Sequence, residues 1–170
     1  MNTNVGAAFD AATLITFQAD GLDAAAFYQA TDTDARPGGW GTVTLAGRRR
    51  PSWSTFRLWH VLAPVEVALG GAQPNAGLWA IASRDRSRRR LTVMLASFSV
   101  ASPQARTVVL AVRGLRRGRL KASVLRIDAT HERLRRPSRL RVARGGRVAV
   151  ALPPQAVAFV TITVRRRRGR

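Results

Sequence analysis

The chain has 170 residues, of which 46% are hydrophobic, and it carries a formal net charge of +20. This length and apolar content predict one good core, or a small domain with an appendage, rather than a disordered chain. The absence of cysteine excludes disulfide bonds and thiolate metal sites. No apolar run reaches the roughly 20 residues of a membrane-spanning helix, and Met1–Val5 lacks the basic start and apolar core of a signal peptide.

The positive charge is almost entirely arginine, and it is unevenly distributed. Of the 29 basic residues only Lys121 is a lysine. Residues 1–47 carry a net charge of −4, whereas the rest of the chain carries +24. Such arginine enrichment is typical of GC-rich coding sequences, but arginine also binds phosphate and other anions. Compositional bias and a polyanion-binding role therefore both stay open.

The beginning of the chain predicts a helix followed by a strand. Val5 to Phe17 has the composition of a helix, with Asn4 as its N-cap and Gly21 in the C-terminal capping position. The apolar run Leu22–Gln29 predicts a buried parallel strand of an α/β unit. A polar loop follows this run.

A second helix is predicted after a Gly-rich loop, a short strand and a tight turn at Ala46-Gly47. Pro51 suits the first turn of this helix, because its missing N–H would have no partner there. Apolar residues recur every three positions and predict a buried stripe, formed by Trp53, Phe56, Trp59 and Leu62. Residues 1–63 thus contain about one and a half parallel α/β units, too few to enclose a core by themselves.

From Pro64 onward the period of the apolar residues changes to that of strands. Turn-rich connectors separate these segments and no helix intervenes, which predicts an antiparallel sandwich. Glu66 to Leu69 adds a possible edge strand, and residues 165–170 form a basic tail that we expect to be disordered. The six predicted strands are Leu78–Ser83, Leu91–Val100, Thr107–Val112, Leu120–Asp128, Arg147–Leu152 and Ala156–Val164.

Several short motifs occur in the order found near the end of clan A retaining glycoside hydrolases. Ala26–Asp32 resembles the aromatic run of the eighth barrel strand, and Gly39–Leu45 is similar to the strand that follows. Gly47–Trp53 resembles the motif that leads into the eighth barrel helix, and Thr55–Leu62 resembles that helix. Val124–His131 resembles a pattern near the end of the β-sandwich that closes such enzymes. The chain is most similar to family 39, the β-xylosidases and α-L-iduronidase relatives, from about residue 5 to 164.

The resemblance implies a mostly β fold, in which an antiparallel β-sandwich (64–164) is preceded by the last α/β elements of a (β/α)8 barrel (1–63). It also implies that this chain is not a working glycosidase. Retaining hydrolysis needs two carboxyl groups about 5 Å apart, and both family glutamates lie before the matched region. The only glutamates here, Glu66 and Glu132, match neither position. We therefore predict no catalytic residue and no cofactor or metal.

In the family, the loop after the eighth barrel strand borders the substrate pocket. The resemblance therefore makes Tyr28, Asp32 and Trp40 candidates for the substrate side of the site. Asp32 and Asp34 could also form an acid pair or a cation site, although turn and capping roles are commoner for such residues.

Two histidines have a structural interpretation. His60 lies beside the predicted aromatic stripe, as a packing or surface residue. Asp128 and His131 resemble part of a catalytic triad, but no serine is placed as an activated nucleophile, so a structural turn is expected.

Three functions from different classes are consistent with the sequence. The first is a non-catalytic C-terminal accessory segment of a glycoside hydrolase, whose partner would be the missing barrel portion. The second is a stand-alone carbohydrate-binding or interaction module. The third is a binder of nucleic acid or heparin, which would be weak and non-specific because aromatic residues become rare after Trp79. We also expect residues 1–63 to be looser than the sandwich, because they lack most barrel partners.

Overall fold

A computed structural model describes residues 3–27, 29–32, 41–116 and 118–165. Two helices, α1 and α2, precede nine strands, β1 to β9, and two short 3₁₀ helices, Pro74–Ala76 and Arg144–Gly146. The helices are α1 (Asn4–Ala19) and α2 (Pro51–His60). The strands are β1 (Val65–Val67), β2 (Leu78–Arg84), β3 (Arg90–Ser97), β4 (Arg106–Ala111), β5 (Arg119–Ile127), β6 (Ser138–Leu140), β7 (Val142–Ala143), β8 (Arg147–Leu152) and β9 (Ala156–Arg165).

The strands form two antiparallel sheets, which confirms the predicted mostly β sandwich. A six-stranded sheet has the order β1-β2-β3-β9-β5-β6, and a three-stranded sheet has the order β4-β8-β7. The larger sheet also carries both helices on its outer face, so the fold has three layers. The smaller sheet leaves an open groove of about 1190 Å³ between β2 and β4, lined largely by aliphatic side chains.

Alternation along the strands builds the core between the two sheets. On β8 every second residue is buried, and the side chains of Val148, Val150 and Leu152 face the larger sheet. They meet residues of β3 and β9 such as Val93 and Val160. Each fully buried aliphatic side chain of this kind contributes about 1.5–3 kcal/mol to folding.

A second core lies between the larger sheet and α1. Ala7, Ala8 and Ala11 are completely buried, together with Met94 of β3 and Val157 of β9. Alanine brings the helix axis close to the sheet because its side chain is short. The helix therefore shares a core with the strands, which argues against a looser α1. The expectation that residues 1–63 are looser than the sandwich stays a prediction.

The ends of α1 are fixed in two ways. At its C-terminus, Gly21 adopts a left-handed conformation, and the N–H groups of Gly21 and Leu22 donate to the carbonyls of Gln18 and Phe17. This confirms the predicted glycine cap, which has the Schellman pattern. At its N-terminus the predicted cap is wrong: Asn4 lies inside the helix, and its Nδ2 donates to the carbonyl of Gln155 at 2.7 Å. Asn4 thus ties the helix to the turn before β9.

The predicted buried strand Leu22–Gln29 is wrong for the described residues. No strand is formed there, and residues 22–26 are exposed. The parallel pairing lies slightly later, where Thr31 forms an isolated bridge with Val43. An apolar run of alanines has weak strand propensity, and without a neighbouring strand on either side it gains nothing from an extended ladder.

The predicted aromatic stripe of α2 is only partly buried, and Trp59 and Leu62 are the members that pack against the helix–sheet core. Pro51 begins the helix as predicted, but Trp53, Phe56 and Trp59 are only half-buried. The buried face of α2 consists of small residues and Leu58, and the Thr55 hydroxyl donates to the carbonyl of Ala7 at 3.2 Å. Small residues on both helices allow α1 and α2 to pack closely, which leaves the larger aromatic residues at the edge.

Six of the predicted strands are present with shifts of a few residues, and the predicted edge strand corresponds to β1. Two short strands, β6 and β7, lie in a segment that the sequence did not assign. The end of the predicted tail, residues 166–170, lies outside the described residues. Within the described part of the chain, neither helix combines the length and apolarity needed to cross a bilayer.

We expect Ala11→Leu to lower the free energy of unfolding by about 1–3 kcal/mol, because the added atoms overpack the helix–sheet contact. Urea denaturation measures this loss, with Ala25→Leu at an exposed position as the control.

In the unsubstituted chain, amides of Ala11 to Ile15 should be as protected from hydrogen exchange as those of β3. Fast exchange in α1, or equal effects of the two substitutions, would show that the helix is not part of the cooperative core.

Candidate functional site

The candidate site lies where residues 29–32 run beside residues 41–44. The N–H of Asp32 donates to the carbonyl of Val43 at 3.1 Å, and the N–H of Val43 donates to the carbonyl of Ala30 at 3.0 Å. The Thr42 hydroxyl also donates to the carbonyl of Ala30. The tight turn predicted at Ala46-Gly47 follows, with Gly47 in the left-handed region. These contacts hold together the two described segments on either side of residues 33–40, which the sequence predicts to be a loop.

A buried ion pair fixes the base of this loop. Asp32 is 4% exposed and Arg50 is 7% exposed, and their side chains form an ion pair through Arg50 Nη2 and Asp32 Oδ2. Asp32 Oδ1 accepts a hydrogen bond from the N–H of Gly41 at 2.8 Å, while Arg50 Nη1 donates to the carbonyl of Gly41 at 3.1 Å. Asp32, Gly41 and Arg50 therefore form a closed set of contacts, which we call the loop clamp.

The clamp requires a glycine at position 41. A Cβ atom there would lie 2.6 Å from the backbone nitrogen of Asp32 and 2.8 Å from the carbonyl carbon of Thr31. Real Cβ contacts are not this short, and both atoms belong to the backbone, so they cannot move aside cheaply. The glycine is needed for this close approach of two backbone segments.

The structure places only one of the three predicted substrate-side residues. Asp32 belongs to the loop clamp, where both carboxylate oxygens have partners. Tyr28 and Trp40, and the second acid Asp34, lie outside the described residues. A substrate-side role for Tyr28, Asp32 and Trp40 stays a prediction, and the described contacts of Asp32 are those of a residue that positions the loop.

The segment Asp128–His131 forms a structural turn after β5. Asp128 is buried, and its Oδ1 accepts hydrogen bonds from the Thr130 N–H at 2.9 Å, the Thr130 hydroxyl at 2.8 Å and His131 Nδ1 at 2.9 Å. Burial raises the pKa of Asp128, but the hydrogen bonds from Thr130 and His131 outweigh burial and lower it overall. An ionised carboxylate that closes its own turn agrees with the structural interpretation. His60 ends α2 as an exposed residue.

Asp10 is a buried titratable residue that sequence reasoning missed. It lies on the alanine face of α1, is 4% exposed, and its Oδ2 atom has no hydrogen-bond partner among the described residues. Desolvation raises the pKa of Asp10, and a hydrogen bond with Ser52 of α2 opposes this only partly. Helical periodicity in the sequence could have predicted this burial, since Asp10 occupies the same helical face as Ala7 and Ala11.

The outer side of α2 carries aromatic rings and arginines. The Arg49 guanidinium carbon lies 4.1 Å from the centre of the Trp53 ring, and that of Arg57 lies 5.8 Å from it. Phe27 packs edge-to-face on Phe56, with 5.0 Å between ring centres. These rings are half-buried and cluster beside the loop clamp.

Among the described residues, no group of three or more His, Asp or Glu side chains is arranged to hold a metal ion.

Comparison with solved structures identifies the fold class as that of clan A glycoside hydrolases. The chain superposes on a monomeric β-xylosidase from Caulobacter crescentus CB15 with a TM-score of 0.72 and 16% sequence identity, over 97% of this chain and 42% of that chain. The sequence resemblance is therefore confirmed at the level of the fold, which is that of a C-terminal portion of such enzymes.

Two further structures agree. A GH39 enzyme from Xanthomonas axonopodis pv. citri gives a TM-score of 0.68 at 16% identity, over 96% of this chain and 41% of that chain. The family 30 subfamily 8 xylanase Xyn30A from Clostridium acetobutylicum gives 0.70 at 11% identity, over 96% and 40%. The chain thus spans about two fifths of the length of each. No family model matches the sequence, and no curated protein is similar to it in sequence.

We expect Arg50→Met to lower the free energy of unfolding by about 3 kcal/mol, because it leaves the Asp32 carboxylate buried without its cation. Arg48→Met, two residues earlier and exposed, is the matched control and should change stability by no more than about 0.5 kcal/mol. Both values come from urea denaturation followed by tryptophan fluorescence. Equal, small effects would contradict a buried clamp.

We expect Asp10→Asn to stabilise the chain by about 1 kcal/mol at neutral pH, because it removes a buried charge with one unpartnered oxygen. The folded-state pKa is raised, so the penalty is absent below the ordinary pKa of about 4, where Asp10 is protonated in both states, and develops as the pH rises through the folded pKa. The stability difference between the two chains should therefore vanish near pH 3. Asp23→Asn, at an exposed position, serves as the control; a pH-independent gain in Asp10→Asn would contradict a titrating carboxyl.

Proposed function

We propose that this chain is a non-catalytic C-terminal accessory segment of a glycoside hydrolase, which packs against a separate barrel portion. The observation that carries the proposal is the fold match over 96–97% of this chain and only 40–42% of three glycosidases. Those proteins are named as a β-xylosidase, a GH39 enzyme and a xylanase, so the activity of the assembled protein would be hydrolysis of glycosidic bonds.

The residue pattern of α1 supports a missing partner. One face of the helix, with Ala7, Ala8 and Ala11, packs on the larger sheet. The other face also carries apolar side chains, and Phe9 and Phe17 are 41% and 36% exposed. A helix that is apolar all round is normally buried on all sides. The second face of α1 therefore fits a helix or strand that this chain does not supply.

The aromatic side of α2 supports the same conclusion. Trp53, Phe56 and Trp59 are half-buried. Trp59 packs against the helix–sheet core, whereas Trp53 and Phe56 are not part of that core. Aromatic residues and arginine are enriched at the cores of protein interfaces. We call these aromatic residues and the exposed apolar residues of α1, Phe9 and Phe17, together the docking surface.

The two glutamates have positions that suit structure rather than hydrolysis. Glu66 lies on β1, and its Oε2 accepts a hydrogen bond from Gln18 Nε2 at 3.1 Å, so it connects the sheet to the end of α1. Glu132 is exposed in the loop after β5. Neither residue belongs to the loop clamp or the docking surface.

We expect the isolated chain to show no turnover of aryl-xylosides or related aryl-glycosides, because it lacks both family glutamates. Release of the aryl chromophore measures this. Activity well above background that disappears in Glu66→Gln or Glu132→Gln would contradict the proposal.

The docking surface has its own test. A barrel polypeptide with two catalytic glutamates, encoded beside or upstream of this chain, should bind it and gain activity or stability. Binding should weaken at least tenfold in a Phe9→Ser/Trp53→Ser variant. Leu45→Ser, at an exposed apolar residue in the turn before α2, is the control. If no such barrel is encoded, or if the control loses as much affinity as the double variant, the proposal fails.

A further inference from the structure

The outer face of the larger sheet is divided into an apolar half and a polar half. Met94, Phe159 and Ile127 lie in the apolar half, which α1 covers. Further along the same strands the outward residues become hydroxyl-bearing or cationic. Alternation places these side chains on the same side as the helices, but beyond them. We call this polar half the hydroxyl–cation face, formed by Lys121, Ser123, Arg139, Thr161, Thr163 and Arg165.

Strand register brings these residues into rows across the sheet. Thr161 of β9 is paired with Ser123 of β5, and Ser123 is paired with Arg139 of β6. In the next row, Thr163 is paired with Lys121. Neighbouring strands are about 4.8 Å apart. A chain molecule that crosses β9, β5 and β6 therefore meets a hydroxyl or a cation at each of these three strands.

Several cations converge on the hydroxyl–cation face. Arg165 is paired with Arg119 at the end of the sheet. The positive charge of Arg165, with desolvation and the charges of Arg139 and Arg119, lowers the pKa of Lys121 below its ordinary value. Within the described residues, no side chain of the hydroxyl–cation face forms an ion pair with an acid. The local field thus favours a negatively charged ligand.

Acidic residues on the neighbouring strands are already engaged. Glu66 of β1 lies in the same row as Thr161, and its carboxylate accepts a hydrogen bond from Gln18. Asp85, in the turn between β2 and β3, accepts hydrogen bonds from the N–H groups of Arg89 at 2.8 Å and Arg90 at 3.0 Å. These contacts lower its pKa, together with the Ser87 hydroxyl, which makes the largest contribution. The Asp85 carboxylate therefore holds its own turn.

We propose that the hydroxyl–cation face binds a linear polysaccharide that carries carboxylate or sulfate groups. Arginine and lysine provide the charge, and the threonine and serine hydroxyls between them exchange hydrogen bonds with sugar hydroxyls. A shallow depression of about 770 Å³ is lined by Lys121, Ser123, Arg139, Thr161 and Thr163, and it continues around the edge of the sheet to Leu140 and Val142. This depression is where the polysaccharide would bind. Nucleic acid is disfavoured, because this face carries no aromatic ring for base stacking and no helix that could enter a groove.

The choice of polysaccharide over other polyanions rests on the proposed function, whereas the preference for anions rests on the charges alone. The two proposals fail separately. If no barrel portion binds the unsubstituted chain, the proposed function fails while the preference of the hydroxyl–cation face for anions stands. If neither polysaccharide binds, the hydroxyl–cation face fails while the docking surface stands.

The test measures binding of the full chain to heparin and to polygalacturonate by titration near physiological salt. Lys121→Gln/Arg139→Gln should weaken both interactions at least tenfold. Arg48→Gln/Arg147→Gln removes the same charge from the turn before α2 and from the outer side of the three-stranded sheet, and should change affinity less than threefold. Equal far-UV circular dichroism and thermal midpoints establish that the variants are folded.

Binding of heparin alone would show that the ligand carries sulfate groups, and binding of polygalacturonate alone would show that it carries carboxylate groups. Either result supports the proposed polysaccharide site if binding depends on Lys121 and Arg139. Three results would overturn the proposal. Equal losses in the two double variants would show diffuse charge. Loss of all affinity after removal of residues 166–170 would assign binding to the tail. Tighter binding of duplex DNA than of either polysaccharide would assign the face to nucleic acid.

Discussion

The close contact between α1 and the outer face of the larger sheet is the constraint on which the rest of this structure depends. Ala7, Ala8 and Ala11 are fully buried there against Met94 and Val157. Because alanine is short, the helix lies near enough to make the sheet a central layer with a core on each side. The second core joins the N-terminal elements to the strands through contacts distant in sequence, and Asn4 and Glu66 add hydrogen bonds at the two ends of the helix. A sandwich with no helix on this face would expose Met94, Phe159 and Ile127 to water.

Much of the fold could be predicted from the sequence, because period and turn chemistry are local properties. The strand β8 alternates without exception, and Gly21 and Pro51 mark helix ends for steric reasons that need no tertiary information. The sequence-based predictions were wrong where burial of a segment depends on which other part of the fold packs against it. Leu22–Gln29 is apolar enough for a buried strand, yet residues 22–26 are exposed and, of the described residues, only Phe27 packs on a ring, that of Phe56. The aromatic residues of α2 looked like the buried stripe, but small residues on the other side pack more closely against α1. Hydrophobicity predicts that a residue will be buried somewhere, and it does not identify the partner that buries it.

The candidate site was harder to predict for the same reason. The resemblance singled out Asp32 as a polar loop residue, and the structure adds what no local pattern could show: its partner, Arg50, is eighteen positions later in the chain. One arginine among three in a row is buried, while Arg48 and Arg49 are exposed. The turn at Gly47 reverses the chain direction, and this reversal decides which of the three arginines reaches Asp32. Gly41 follows from the same geometry, since two backbone segments approach more closely there than a Cβ atom permits. Asp10 differs, because its position on the alanine face of α1 could be read from helical periodicity.

The arginine content can now be divided by position rather than by number. Most described arginines lie in turns or on exposed strand positions distributed over the molecule, as compositional bias would place them. Two groups differ from this background. Arg49, Arg50 and Arg57 surround the loop clamp and the aromatic side of α2, where planar guanidinium groups pair with a carboxylate and an indole ring. Arg119, Arg139 and Arg165 instead converge with Lys121 on one sheet face, and among the described residues none of the four forms an ion pair with an acid. Mutual repulsion at that face costs folding free energy, so a bound anion would stabilise the folded state as well as occupy the face.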